Sequence, residues 1–264
     1  MTKLVFLGTG GGRIVTLSQE RSTGGVYLED GVKVHIDPGP GALKGLNRSG
    51  INPTRTDAIC ISHCHPDHYA SGEILIEGMS FRNRKGGMLF APRTVIKGNG
   101  SIGPAVSAYH RKKLKNAQVV VPDEDYKLKH LKFHTTPSIH SDPLGVGFKF
   151  RTRQGIVSFV SDTELRKEII EKHLGARILI LPNTRPLNAR IRNHLSTEDS
   201  AVFAKKVKPE LLVLTHMGKK MLKEDPEAQA RWISERSEVK TVAGVDGLTI
   251  HLGDDVELEF PPSE

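Results

Sequence analysis

The 264 residues are 37% hydrophobic and 26% charged, a globular rather than a disordered composition, sized for one large domain or two small ones. Lys and Arg number 38 against 30 Asp and Glu, so the formal net charge of +8 favours anionic partners without choosing among nucleic acid, nucleotides and phosphates. Aromatics are 5%, too few for long base-stacking platforms, and no run of about 18 apolar residues exists to span a membrane.

Residues 1–8 read as a first strand rather than a secretory leader. Residues 25–29 and 32–37 are further short apolar runs, joined by a two-residue Asp30-Gly31 hairpin turn. Residues 57–62 predict a buried strand, 71–79 a short helix, and 87–91 and 118–121 strands around a basic amphipathic helix over 105–115. Residues 131–136, 146–151 and 156–161 alternate as strands do, and 164–174 form a helix with Leu165, Ile169, Ile170 and Leu174 on one face. The rest alternates. Strands at 177–181 and 211–215 flank a helix over 197–207 with Ser196 as N-cap; a helix over 226–237 precedes strands at 239–245, 248–252 and 256–260, the first two joined by Asp246-Gly247. The pattern suggests two sheets sandwiched by helices in one domain over 1–264. Two cysteines, Cys60 and Cys64, make no disulfide framework; they read as packing residues in a reducing, cytoplasmic setting.

The densest chemical signal is His63-Cys64-His65-Pro66-Asp67-His68, directly after an apolar strand. Three imidazoles and a carboxylate crowded together repel one another if the rings are charged, and a bound cation resolves this because neutral imidazole and carboxylate are good ligands. His63 and His65 sit two apart at a strand end and point the same way. The turn at Pro66 can send Asp67 and His68 toward a second centre.

This run resembles the HxHxDH motif of the metallo-β-lactamase-fold superfamily, and the resemblance extends over nearly the whole chain. Ile36-Asp37-Pro38-Gly39 looks like the supporting aspartate turn, Ser138-Ile139-His140 like the next histidine, and Val160-Ser161-Asp162-Thr163 like the bridging aspartate. Leu214-Thr215-His216-Met217 looks like the last histidine. The resemblance implies an α/β fold, a four-layer αββα sandwich of two mixed sheets flanked by helices. It also implies two divalent metal ions, zinc by default with manganese or iron fitting too. One would be held by His63, His65 and His140, the other by Asp67, His68 and His216, with Asp162 bridging. His134 is the rival to His140. Asp37 reads as the orienter of a histidine ligand, and His35, His110, His130, His173 and His251 as surface or packing residues.

Within the superfamily, Asp162 stands where the β-lactamases carry cysteine, and His65 where the flavodiiron oxygen reductases carry a carboxylate. Both differences favour a hydrolase of another bond, and the short, strand-like tail after His216 leaves no room for the helical domain of glyoxalase II-like thioesterases. Asn193-His194-Leu195-Ser196-Thr197 resembles the extra histidine motif of the tRNase Z-like phosphodiesterase branch, as does Leu7-Gly8-Thr9-Gly10-Gly11-Gly12 with Arg21-Ser22. No helix pattern follows that glycine run, which predicts a tight turn at the cleft rim. Arg185, Arg190 and Arg192 suit substrate phosphate oxygens, or form a solvated basic loop. The transfer-RNA arm of tRNase Z is missing, because the short interval from His140 to Asp162 holds only one hairpin.

The expected function is a dinuclear metal phosphodiesterase using a metal-bridging hydroxide on a small, cyclic or nucleotide-derived phosphodiester. Asp67, Asp162 and His194 are its expected catalytic residues. An ester, thioester or lactone hydrolase is the second reading. A nucleic-acid-binding or RNA-processing protein is the third, motivated by Arg82-Asn83-Arg84-Lys85 and His110-Arg111-Lys112-Lys113-Leu114-Lys115. The expected partner is an anionic, phosphorylated substrate with no membrane; nucleic acid and a homodimer remain open.

Overall fold

A computed structural model describes residues 1–83 and 86–262. Strands β1 (Thr2–Phe6), β2 (Val26–Glu29), β3 (Lys33–Ile36), β4 (Ala58–Cys60), β5 (Met88–Ala91) and β6 (Asn116–Val119) begin the first sheet. The second sheet follows with β7 (Asp125–Leu128), β8 (Leu131–Pro137), β9 (Val146–Thr152), β10 (Gly155–Phe159) and β11 (Ile178–Arg185). The two-residue β12 (Leu195–Ser196) pairs with β11, before β13 (Leu211–Thr215) and β14 (Thr241–Ala243). β15 (Thr249–Leu252) and β16 (Val256–Glu259) return to the first. The sheet orders are β16-β15-β1-β2-β3-β4-β5-β6 and β14-β13-β11-β10-β9-β8-β7, and both mix parallel with antiparallel pairs.

Ten helices connect these strands among the described residues: α1 (Gly12–Ser18), α2 (Ala42–Arg48), α3 (Pro66–Tyr69), α4 (Gly72–Met79), α5 (Arg93–Lys97), α6 (Ala108–Lys113), α7 (Lys167–Lys172), α8 (Thr197–Val207), α9 (Lys219–Lys223) and α10 (Pro226–Ser237). Alternation along the strands explains the layering. Leu4, Phe6, Val34 and Ile36 face Phe133, Phe148, Phe150, Ile178 and Ile180 between the sheets. Their neighbours Val5, Leu7, Tyr27 and Ile59 pack outward on Leu46, Leu75 and Ile76 of α2 and α4. Leu179, Leu181, Leu212 and Leu214 pack outward on Phe203, Ala204 and Ile233 of α8 and α10. The result is the αββα sandwich, and each such side chain contributes about 1.5–3 kcal/mol by leaving water. Cys60 and Cys64 are buried in these clusters as packing residues.

The helices over 197–207 and 226–237 fall where the sequence places them, the first with a Ser196–Asp199 capping box. Two expectations need correction. The glycine run leads directly into α1 and not into a bare turn. Only Val15 of α1 is buried while Ile14 and Leu17 are exposed, so no apolar stripe announces the helix. The 164–174 helix contracts to α7, with Leu174 exposed. Asp246-Gly247 joins two strands as expected, and it carries the chain from β14 in the second sheet to β15 in the first.

The basic helix contracts to α6, whose charges are largely engaged. Lys113 pairs with Glu77, His110 lies against Glu73 and Glu77, and Arg111 donates to the carbonyls of Ile96 and Val106. Of the other basic patch, Arg84 and Lys85 lie outside the described residues. No helix among the described residues is long and apolar enough to cross a membrane.

Two histidines outside the site are core residues, and they set an acid limit. His35 Nε2 donates to the Gly24 carbonyl, and His173 Nδ1 lies 2.7 Å from Ser158 Oγ. Burial pushes His35 down to about 4, and burial with Lys149 nearby pushes His173 down to about 3. In the unfolded chain both titrate near 6.5. The unfolded state therefore binds more protons below that pH. The stabilisation is full above about 6.5 and is lost as pH falls toward the folded values. Between pH 6.5 and 5 each ring removes about 2 kcal/mol. Urea unfolding at pH 7 and pH 5 should show His173→Gln protein losing about that much less stability than the parent; an equal loss refutes the assignment.

Candidate metal centre

The site lies where β3, β4, β8, β10 and β13 leave the sandwich. β4 ends at Cys60, and α3 begins at Pro66, a residue preset for a first helical turn. This sharp turn brings His63, His65, Asp67 and His68 to one edge. Asp37, in the left-handed region with φ 50°, ties β3 to this turn. Its Oδ1 accepts from Ser62 N at 2.6 Å, and its Oδ2 accepts from Ser62 Oγ at 2.6 Å and from His68 Nδ1 at 2.8 Å. That bond turns His68 Nε2 toward the cluster.

Two triads of ligand atoms result. His65 Nδ1 lies 2.9 Å from His63 Nε2 and 3.1 Å from His140 Nε2. His216 Nε2 lies 3.2 Å from His68 Nε2 and 3.3 Å from Asp67 Oδ2. Asp162 sits between them: its Oδ2 is 3.1 Å from His216 Nε2, 3.6 Å from His68 Nε2 and 3.9 Å from His140 Nε2. The donor set fits divalent cations. Three imidazole nitrogens converge in one triad and two with a carboxylate in the other, each triad's atoms lie within 4.8 Å of one another, and the buried Asp162 Oδ1 has no hydrogen-bond partner.

Electrostatics report the same crowding. Burial, then the neighbouring rings of His68, His65 and His140, holds His63 well below the usual imidazole range. Burial opposes charge on His68 too, but Asp67, Asp37 and Asp162 outweigh it and hold that ring well above the usual range. Burial likewise disfavours the Asp162 carboxylate, yet His216, His68 and His194 hold it well below its ordinary value.

Every sequence-derived ligand candidate is in the cluster, and His134 is not: it lies against Asp123 and Asp125. His194 is at the mouth, its side chain 20% exposed, with Nδ1 3.7 Å from Asp162 Oδ2. Its ring stacks on His216 at a 5.7 Å centroid distance. The arginines are turned to other partners. Arg185 Nε donates to the Ala189 carbonyl, Arg190 pairs with Asp199 at 2.7 Å, and Arg192 lies 3.9 Å from Glu164 and is otherwise solvated.

Three supporting groups were missed in the sequence. Asp142 Oδ2 accepts from Cys64 N at 3.0 Å and from Thr94 Oγ1, locking the His140 loop onto the His63–His65 turn. The Asn193 carbonyl accepts from His140 Nδ1 at 2.9 Å. Thr184 Oγ1 lies 3.0 Å from His216 Nδ1 and 3.4 Å from His194 Nδ1. Asp142, two residues after a ligand, and Thr184, a polar residue ending an apolar strand, are the two that spacing alone could have flagged.

Gly11 also belongs to the site. A Cβ there would meet the His216 ring at 2.2–2.4 Å. Gly12 N–H next to it donates to Asp67 Oδ2 at 2.9 Å. Gly11→Ala is expected to displace His216 and weaken metal binding by about 10–100-fold with the fold kept. Metal titration with circular dichroism checks this; unaltered affinity would mean that the ring has room to move.

An αββα sandwich with a histidine–aspartate cluster at one edge defines a metal-dependent hydrolase. The chain belongs to the metallo-β-lactamase superfamily, whose Beta-lactamase superfamily domain model matches residues 33–217. It is 38% identical over 254 residues to Uncharacterized protein MJ1374 of Methanocaldococcus jannaschii, covering 95% of each chain. It is 27% identical to a Ribonuclease Z of Pyrobaculum neutrophilum, covering 82% of this chain and 87% of that one. Among solved structures, the metallo-beta-lactamase fold protein YhfI from Bacillus subtilis superposes with a TM-score of 0.77 at 16% identity, over 94% of this chain and 98% of that one.

Proposed function

We propose that this chain is a phosphodiesterase that works with two divalent cations, zinc by default. One would be held by His63, His65 and His140, the other by Asp67, His68 and His216, with Asp162 shared. The observation that carries the reading is Asp162 Oδ2 lying between the two triads, with His194 at the mouth beside it. Cations bound there supply Lewis acidity and a hydroxide at neutral pH.

The protein's own residues supply the rest. His216 must keep its Nε2 lone pair for the cluster, so Nδ1–H donates to Thr184 Oγ1. Thr184 O–H is then directed to His194 Nδ1, which leaves the His194 proton on Nε2. Burial pushes His194 down to about 4, so the ring is neutral at pH 7. His194 Nε2–H donates to the oxygen on which charge develops during P–O cleavage. The similarity to a Ribonuclease Z supports a phosphodiester target. The single β9–β10 hairpin between His140 and Asp162 supports a small or nucleotide-derived one in place of transfer RNA.

Metal analysis of the purified protein, with a panel of phosphodiesters, carboxylic esters and thioesters, tests the reading. Two equivalents of metal and preferential phosphodiester turnover are expected; faster ester or thioester cleavage would replace it with the second hydrolytic reading.

A further inference from the structure

We infer that the chain carries a second binding site, for a nucleotide or similar phosphorylated small molecule, at the end of the sandwich away from the metal cluster. Asp57 precedes β4 and His63 follows it, so the extended chain separates the two places by roughly 20 Å. A cavity of about 590 Å³ opens at the Asp57 end. It is bounded by residues 54–57, the C-terminus of α4, the entries to β5 and β6, and the tip of the β7–β8 hairpin. That volume falls within the range of small-ligand sites.

Its lining separates into two kinds of surface. Met79, Met88 and Leu128 form an apolar floor, with Met79 and Leu128 buried. Arg55, Lys115, Lys127 and Lys129 form a cationic rim. The one acidic lining residue, Asp57, is already engaged: Oδ1 lies 2.7 Å from Lys129 Nζ and Oδ2 accepts from Lys33 N at 2.9 Å. Among the described residues Arg55, Lys115 and Lys127 form no ion pair. Three cations lining one cavity without a counter-charge repel one another, and a phosphate relieves that repulsion while accepting charge-assisted bonds. The floor suits the flat, weakly polar face of a nucleobase. Free phosphate offers the rim its charge but leaves the floor in water, so a nucleotide should bind more tightly.

The site is independent of the proposed reaction, and so is its test. Adenosine 5′-monophosphate and inorganic phosphate are titrated calorimetrically at low salt into the full chain, the His65→Ala protein treated with chelator, and the Lys115→Ala/Lys127→Ala protein. The expected result is an adenosine monophosphate site, tighter than phosphate, that is kept in the chelator-treated His65→Ala protein. In the double variant it is weakened by about tenfold or more. Methyl NMR of the unsubstituted protein should show Met79 and Met88 shifting with the nucleotide, a readout independent of any variant's folding. Equal affinity in the double variant, loss of binding in His65→Ala, phosphate binding as tightly as the nucleotide, or still methyl signals would each overturn the assignment. Binding of a single-stranded oligonucleotide alone would overturn it in favour of a nucleic-acid surface.

Discussion

Asp162→Asn protein is expected to lose phosphodiester turnover by at least about a thousandfold and to retain at most one metal equivalent. The substitution keeps size and shape. It removes the charge and puts an amide NH2 in place of one oxygen of a carboxylate whose Oδ2 lies within 4 Å of three ligand nitrogens. The other nearby carboxylates are placed differently: Asp67 Oδ2 approaches His68 and His216, and Asp37 is held by Ser62 and His68. With the shared charge gone, cations at the two triads repel each other unscreened, and one should leave. Elemental analysis gives the stoichiometry and a chromogenic diester gives the rate. Two retained equivalents with near-parental turnover would sink the shared role of Asp162; two equivalents with lost turnover would place Asp162 in the chemistry and not in metal sharing.

Much of this site is legible in the sequence because metal ligation demands particular residue types at strand ends. His63 through His68 is a local cluster, and His140, Asp162 and His216 each follow a strand that ends at the same edge. The strands are legible for a related reason. With both faces covered, the first half of β11 and nearly all of β13 are apolar, whereas β8 alternates. What stays hidden depends on packing across the fold. The α1 helix has one buried side chain and is fixed through Gly12 N–H on Asp67, a contact that no periodicity reports. The handover at Asp246-Gly247 is set by Asp246, whose carboxylate accepts from Thr9 and Ser22 on the first sheet's side. The three arginines look like a phosphate clamp in the chain, but their contacts go to Ala189, Asp199 and Glu164. Part of the net positive charge, at Arg55, Lys115 and Lys127, lines a cavity that no ligand motif marks.

His194→Ala is expected to cut phosphodiester turnover by about 10²–10⁴-fold with both metal equivalents retained. The two halves of that expectation come from its position. Its Nδ1 is farther from Asp162 than that of His216 Nε2, and its side chain is the more exposed, so the triads close without it. Its ring nevertheless faces the mouth, where a leaving oxygen must gain a proton or a hydrogen bond. Thr184→Val separates this role from simple packing. Valine fills the same volume but cannot relay between His216 Nδ1 and His194 Nδ1, so His194 is free to adopt the tautomer with its proton turned inward. Thr184→Val should therefore lower kcat with little change in KM, by less than His194→Ala does, and Thr184→Ser should restore most of the rate. An ester with a good leaving group needs no such donor and should be cleaved nearly as fast by His194→Ala as by the parent. If diester and ester rates fall together, His194 serves the cluster's architecture and the phosphodiester assignment loses its mechanistic support.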